Sequence, residues 1–399
     1  MKNKRYYIIF VAFAFAVVIL VAYFSGGLDN FFKKDAKPKK TGNVTEIGDT
    51  ELKPYDGTKQ ENGTLTVRFI DVGQGDCIFV NFPDGKNMLI DSGSALKYPE
   101  NRAVLDKYLK RNGVPCVIDY CVATHADEDH VGNMPYVYEN YTVKHTYRPF
   151  QKYTGGIDEY PSDFNDGVSG DFSDKTSYND YLKAVNAENG DWEFFTDGSD
   201  FANTVVYNGA DYEYTVDFML PYAKTTGGFE SFVKSNDFSP FIMLKYAGRK
   251  ILFTGDAEEK AMAKFMAYYK NEGEELVDCD ALKVAHHGSL TSSDVDFLDL
   301  VKPEYAVISC RSDSTNDYGH PDKTIIDRLL DIVADGLSSG SDGGLYRTDI
   351  HGTVTLTIGL DGKMTVTKEF SDFDGYVGED GTYIKEKENE IRAMKSATV

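Results

Sequence analysis

His125, Asp127, Asp129 and His130 fall within six positions, in the run His-Ala-Asp-Glu-Asp-His. Imidazole and carboxylate are the side chains that hold hydrolytic divalent metals. The apolar stretch 117–123 just before them reads as a buried strand. A strand that ends in a tight loop can turn several side chains toward one point. The spacing 125, 127, 129 keeps three of them on one side, and His130 adds a second nitrogen. Three further pieces carry the same chemistry. Leu252-Phe253-Thr254-Gly255-Asp256 puts a carboxylate at a strand end. There it can bridge two metals, or it can serve as an ordinary N-cap for a helix starting near Glu258. Leu282-Lys283-Val284-Ala285-His286-His287-Gly288-Ser289 is a short strand running into a turn with two histidines. Gly319-His320-Pro321 places a loop histidine ahead of a helix. Four of the seven histidines therefore follow predicted strands, which points to one active site at one edge of a sheet.

The elements that must position these groups alternate. Residues 65–70, 78–82, 88–90, 117–123, 281–284 and 305–308 read as strands. Residues 103–111, 258–270 and 323–333 read as helices, the second with Ala261, Met262, Phe265 and Met266 on one face. The runs 241–244 and 251–253 form a hairpin around Gly248-Arg249. A last hairpin, 352–358 with 364–367, turns at Asp361-Gly362.

With these motifs in place the chain resembles the metallo-β-lactamase-fold hydrolases, and within them the ComEC-type competence hydrolase domain. The residues that carry the resemblance are Phe69-Ile70-Asp71-Val72-Gly73-Gln74-Gly75-Asp76, Leu89-Ile90-Asp91-Ser92-Gly93, and the stretch 124–132. They continue with Ser235-Asn236-Asp237-Phe238-Ser239, Thr254-Gly255-Asp256, His286-His287-Gly288-Ser289 and Tyr318-Gly319-His320-Pro321. Tyr346-Arg347-Thr348 followed by Gly352 matches the family's closing hairpin. Order and spacing agree across residues 64–370.

The resemblance implies an α/β fold, a four-layer αββα sandwich. It implies that His125 is a ligand of a first metal site, with Asp127 where many members have a second histidine. Asp129 and His130 belong to a second site, Asp256 bridges, and one of His286 and His287 completes site two. Asn236 falls where many relatives have a third site-one histidine, with Ser239 close by. Asp91 resembles a buried carboxylate that steadies the ligand loop. His320 resembles a contact to a leaving group or phosphate. Asp71, Gln74 and Asp76 lie in a Gly-rich loop near the site, as turn formers or with a direct role. The cofactor expected is one or two divalent ions, Zn²⁺ or Mn²⁺. Asp127 and Asn236 substitute oxygen for nitrogen, which favours harder ions and makes site two the tight one. The chemistry expected is metal-assisted hydrolysis through a metal-bound hydroxide, with Asp127 or Asp129 holding the water or accepting its proton.

Residues 6–24 form an unbroken apolar run after Lys2, Lys4 and Arg5. That length spans a bilayer and exceeds a typical cleaved signal core. The organisation expected is a signal anchor over 1–25, a flexible linker over 26–63, the hydrolase domain over 64–370 and a polar extension over 371–399. The catalytic domain is then membrane-anchored and extracytoplasmic, with the bilayer as partner and no evident protein partner. An insert at 150–200 is rich in aromatics, among them Tyr178, Tyr181 and Trp192, either as a lid or as packing. The five cysteines show no disulfide framework or Cys-rich zinc site.

Charge bears on the substrate. The chain has a formal net charge of −22. Eight basic and two acidic residues lie in 1–42, leaving 34 basic and 62 acidic in the rest. Such a surface repels a phosphate backbone unless a local basic groove or metal compensates. The function expected is a cell-surface phosphodiesterase or nuclease. The alternatives are a hydrolase of a wall-linked or exported ester of the phosphorylcholine type, and a non-catalytic binding module. A true β-lactamase is not expected, because Asp127 replaces the second histidine of that pattern.

Overall fold

The computed structural model describes residues 63–149 except 112, then 176–188, 191–194, 201–219, 234–311, 318–338 and 344–369. The apolar run 6–24, the linker up to residue 62, the extension 371–399 and much of the 150–200 insert lie outside them. Among the described residues no helix is long and apolar enough to cross a membrane.

The chain begins with β1 (Leu65–Phe69), β2 (Ile78–Asn81), β3 (Asn87–Ile90) and α1 (Asn101–Leu109). A small hairpin, β4 (Lys110–Arg111) and β5 (Val114–Pro115), leads to β6 (Val117–Val122), α2 (Glu128–Val131), α3 (Met134–Asn140) and β7 (Thr142–Arg148). Then come α4 (Thr176–Ala187), β8 (Asp191–Phe194), β9 (Phe201–Tyr207), β10 (Ala210–Met219), β11 (Phe241–Tyr246) and β12 (Arg249–Phe253). The last part holds α5 (Glu259–Glu272), β13 (Ala281–Lys283), α6 (Val295–Val301), β14 (Tyr305–Ile308), α7 (Lys323–Ser338), β15 (Gly344–Arg347), α8 (Thr348–His351), β16 (Val354–Ile358) and β17 (Met364–Lys368).

One sheet runs β17-β16-β1-β2-β3-β6-β7-β8 and the other β15-β14-β13-β12-β11-β10-β9. Both are mixed. β3 pairs with β6 in parallel, as does β12 with β13, while β1–β2 and β11–β12 are antiparallel. The two-residue period of a strand sends alternate side chains to opposite faces. Ile78 and Val80 of β2 and Met88 and Ile90 of β3 point to the core shared with the second sheet, where Phe69 meets Phe253 at 6.2 Å. Phe79 and Leu89, one residue out of phase, face α1, α3 and α4 through Leu105, Met134 and Tyr178. On the far side Phe241 stacks on Phe265 of α5 at 4.1 Å, with Phe297 of α6 beside it. Helices thus cover both outer faces, giving the αββα order. Each fully buried large apolar side chain contributes about 1.5–3 kcal/mol.

The observed elements lie close to the expected ones, with local differences. The helix read over 103–111 starts at Asn101 and yields at Lys110 to β4, because Cys116 N–H reaches back to Leu109 O and reverses the chain. The β11–β12 turn is Ala247-Gly248 rather than Gly248-Arg249. Both turn residues have positive φ, 50° and 77°, as a two-residue hairpin turn requires. Arg249 is therefore in register opposite Tyr246. In the 150–200 insert, Tyr178 and Tyr181 are buried in the outer helix layer. The five cysteines are free and buried.

Candidate metal centre

The segments that carry most of the site leave the carboxyl ends of strands. Asp91 follows β3, His125 to His130 follow β6, Asp256 follows β12, His286 and His287 follow β13, and Ser309 follows β14. Ligand sites in α/β sheets concentrate at such ends. The alternating loop expected for residues 125–129 is not what forms. The chain is extended at Asp127 (ψ 146°) and then coils into α2. Asp129 and His130 thus approach from a helical turn. Glu128, on its other side, accepts from Ala95 N and Leu96 N at 2.8 Å and from Ser94 Oγ at 2.6 Å.

Four donor groups converge. His130 Nε2 lies 3.2 Å from Asp256 Oδ2 and 3.3 Å from His287 Nε2. His287 Nε2 lies 3.2 Å from Asp256 Oδ2 and 3.4 Å from Asp129 Oδ2. Ligand atoms about 2.0–2.1 Å from a tetrahedral ion stand roughly 3.3 Å apart. These four edges have that length.

The tautomers follow from the outer partners. Ser309 O can only accept, so His287 Nδ1 donates to it at 2.8 Å. Asp91 Oδ2 accepts from His130 Nδ1 at 2.7 Å. Both rings then aim an Nε2 lone pair at the same point, beside two carboxylates. Such a set repels itself unless a cation or protons sit between. Asp256 Oδ1 is buried and has no hydrogen-bond partner among the described residues. The donor set fits a divalent ion. The same field shows in proton affinities. Burial lowers the His287 pKa, but the Asp256 and Asp129 carboxylates outweigh it and raise it to about 10. Burial works against ionised Asp256, yet His130 and His287 hold its carboxyl well below the usual range.

His287 completes this cluster and His286 does not. Both have positive φ, 48° and 52°, a left-handed turn that throws the two rings to different sides. That conformation costs non-glycine residues about 1–2 kcal/mol each. It is held by Ser289 N–H to His286 O and by Ser292 Oγ to Ala285 O. His286 Nε2 lies 3.9 Å from Asp256 Oδ2, and its Nδ1 is 3.2 Å from Glu258 Oε1.

The site-one residues are more widely spread. His125 Nε2 is 3.9 Å from both Asp127 Oδ1 and Asp256 Oδ2. Its Nδ1 faces Thr124 Oγ1 at 3.0 Å and Ser239 Oγ at 3.3 Å. Ser239 Oγ also accepts from Asp256 N at 3.1 Å, tying the two ligands together. Asn236 Nδ2 donates to Glu258 Oε1 at 3.0 Å and lies 3.3 Å from His286 Nε2. His320 is half-buried, with its ring 5.3 Å from that of His286. Burial, then His286 and His287, lower its pKa to about 4.

The Gly-rich loop divides its roles. Asp71 Oδ1 accepts from Gly73 N at 3.3 Å, a turn contact. Gln74 Oε1 accepts from Arg311 N at 3.1 Å. Asp76 pairs with Lys283 at 2.6 Å, and its other oxygen lies 3.6 Å from His287 Nδ1. Gly75 has φ 139°, and a Cβ there would collide with Asp129 O, so the loop can lie against the ligand turn only with glycine.

Sequence reasoning missed Lys283, Glu258, Glu128 and Thr124. Lys283 had a signal: a charge inside the apolar strand 281–284 must find a buried partner. Thr124 Oγ1 donates to Asp91 Oδ2 at 2.7 Å, and Thr124 N to Asp91 Oδ1 at 2.8 Å. Only the fold brings those groups together.

The profile of the Metallo-beta-lactamase superfamily matches residues 70–207. The chain thus carries a metallo-β-lactamase domain, in a superfamily generally made of metal-dependent hydrolases. Relatives named for the ComE operon, recombination and competence are in keeping with a hydrolase domain of the ComEC type. It is 26% identical over 276 residues to ComE operon protein 3 of Bacillus subtilis (strain 168), covering 66% of this chain and 30% of that protein. It is 25% identical over 268 residues to Recombination protein 2 of Haemophilus influenzae, covering 67% and 26%. It is 31% identical over 156 residues to Competence protein ComA of Neisseria gonorrhoeae, covering 39% and 19%. The chain spans less than a third of the length of these relatives.

Proposed function

We propose that this protein is a metal-dependent phosphodiesterase. The observation that carries the reading is the convergence of Asp129, His130, Asp256 and His287 on one point, with both imidazole lone pairs fixed inward. A divalent ion held there supplies Lewis acidity and a more acidic water. The chain's own groups do the rest. Asp91, Thr124 and Ser309 fix the ring orientations, and Asp127, 3.9 Å from His125, or Asp129 would hold or accept a proton of the attacking water. His320, near neutral and beside His286, supports binding of a phosphate or leaving group. Relatives named for competence and recombination support a phosphodiester of the nucleic-acid type as the bond cleaved. Anchoring by residues 6–24 and a domain over 64–370 belong to the same proposal.

The test is hydrolysis of bis-p-nitrophenyl phosphate and single-stranded DNA by the full chain with Mn²⁺ or Zn²⁺, beside Asp256→Ala. Metal-dependent cleavage that the substitution abolishes is the expected result. A protein that binds metal and cleaves neither compound refutes the proposal.

A further inference from the structure

One wall of the site carries an exposed aromatic ring and a cation that the hydrolytic cluster does not use. Tyr318 is 60% exposed, two residues before His320, and its ring lies nearly parallel to the His320 ring (13°) at 6.3 Å. Lys97 Nζ sits 4.4 Å from the Tyr318 ring centroid. Its backbone is not a loose loop. Lys97 N donates to Ser94 Oγ at 2.9 Å, Ser94 Oγ donates to Glu128 Oε2, and Glu128 lies between ligand-loop residues Asp127 and Asp129. The metal loop therefore sets the height of Lys97, and the Tyr318-Gly319-His320 segment sets that of the ring. From Tyr318 the path leads over His320 and His286 to His287, ring by ring, at 6.3, 5.3 and 6.1 Å.

We propose that Tyr318 and Lys97 form the subsite for the nucleoside side of the scissile phosphodiester, with the base stacked on Tyr318 and Lys97 near a flanking phosphate. The inference deepens the phosphodiesterase reading and rests on it. An exposed aromatic face near a reacting phosphate suits a flat ring, because every base has a π-face and stacking is indifferent to sequence. The ammonium over Tyr318 decides between a base and a choline head group. A quaternary ammonium on this ring would meet the like charge of Lys97 Nζ, whereas a base is neutral and its phosphate is attracted. The charge of the chain agrees. With a formal net charge of −22 there is little general attraction for a polyanion, so stacking and a single well-placed cation have to supply the local affinity.

The test uses the full chain with Mn²⁺ or Zn²⁺ and compares binding of thymidine 5′-monophosphate, methyl phosphate and phosphorylcholine by titration calorimetry. The nucleotide is expected to bind on the order of tenfold more tightly than methyl phosphate. Tyr318→Ala should shrink that ratio to under about twofold, and Tyr318→Phe should restore it, since the ring and not the hydroxyl stacks. Equal binding of nucleotide and methyl phosphate overturns the proposal, as does a ratio that survives Tyr318→Ala. Phosphorylcholine binding as tightly as the nucleotide also overturns it. These binding ratios are read without turnover. Separately, absence of hydrolysis of both the p-nitrophenyl ester of thymidine 5′-monophosphate and methyl p-nitrophenyl phosphate refutes the phosphodiesterase reading, while the ratios still decide the subsite.

Discussion

Replacing Asp91 by Asn tests the logic of the metal centre without changing its shape. Asp91 Oδ1 accepts from Thr124 N at 2.8 Å, and Oδ2 accepts from Thr124 Oγ1 and His130 Nδ1 at 2.7 Å each. All three contacts need an acceptor, and the residue is fully buried. Asn offers one acceptor and one donor. If its NH₂ faces Thr124 N, two donors meet with no water to separate them. If it faces His130, the ring must accept at Nδ1 and carry its proton at Nε2, aimed at Asp256 and His287. A buried group left unsatisfied costs about 1–3 kcal/mol, and every 1.4 kcal/mol is tenfold in affinity. Loss of a carboxylate behind a ligating histidine costs a similar 10–100-fold. The expectation is therefore a fall in Zn²⁺ or Mn²⁺ affinity of about 10–100-fold, read by competition with a chromophoric chelator. The metal-free variant should stay folded and lose no more than about 1–3 kcal/mol of stability, because Asn tolerates the positive φ of 58° at this position. A well-folded Asp91→Asn protein whose affinity stays within about twofold would show that Asp91 does not set the His130 tautomer.

Other perturbations have defined outcomes. Lys283 and Asp76 pair at 2.6 Å with side chains 0% and 2% exposed. Lys283→Met leaves a buried carboxylate without its counter-ion and should lower stability by about 3–5 kcal/mol in urea unfolding, while Lys283→Met with Asp76→Leu recovers most of the loss. A single-mutant cost under about 1 kcal/mol would contradict this. Metal titration should show a tight step, lost in His287→Ala, and a weaker step, lost in Asp127→Ala; a tight step lost in Asp127→Ala would reverse the assignment. His351 is buried, and burial and then Lys368 lower its pKa to about 3. The unfolded chain protonates near 6.5, so this residue's contribution is full above that pH and is lost as pH falls toward 3. The loss amounts to at most about 5 kcal/mol. Unfolding midpoints measured from pH 7 to 4 should fall less steeply in His351→Asn than in wild type, and parallel slopes would rule the contribution out.

The elements and the motif clustering were legible because their signals are local. The apolar runs 78–80 and 88–90 follow from strands with two buried faces, and the observed strands Ile78–Asn81 and Asn87–Ile90 differ from the expected bounds by one residue at an end. Turn geometry was less legible. Gly248 announced a turn, but the shift to Ala247-Gly248 depends on cross-strand register, which pairs Arg249 with Tyr246. The choice between His286 and His287 was closed to sequence, since adjacent histidines have the same composition and only consecutive left-handed residues separate their rings. Asn236 illustrates a different limit. Motif position put it near site one, and only the fold shows that its Nδ2 is directed to Glu258 and His286. Glu258 went unread because its role as hub needs Lys234, Asn236 and His286, which lie up to 28 residues from it along the chain.

This contrast accounts for the asymmetry between the two halves of the centre. Where both ring nitrogens of a histidine are engaged, one by a fixed acceptor and one by the cluster, the ligand is rigid and little order is lost on binding. His130 and His287 meet that condition. On the other half, Asp127 is 30% exposed at its side chain and Asn236 is engaged by Glu258, so geometry there must be gathered when an ion or substrate arrives. Oxygen donors with slack accept harder and more variable ions than a nitrogen pair held at 3.3 Å. The same slack lies on the side of His286 and His320, the side that the proposed phosphodiester would occupy.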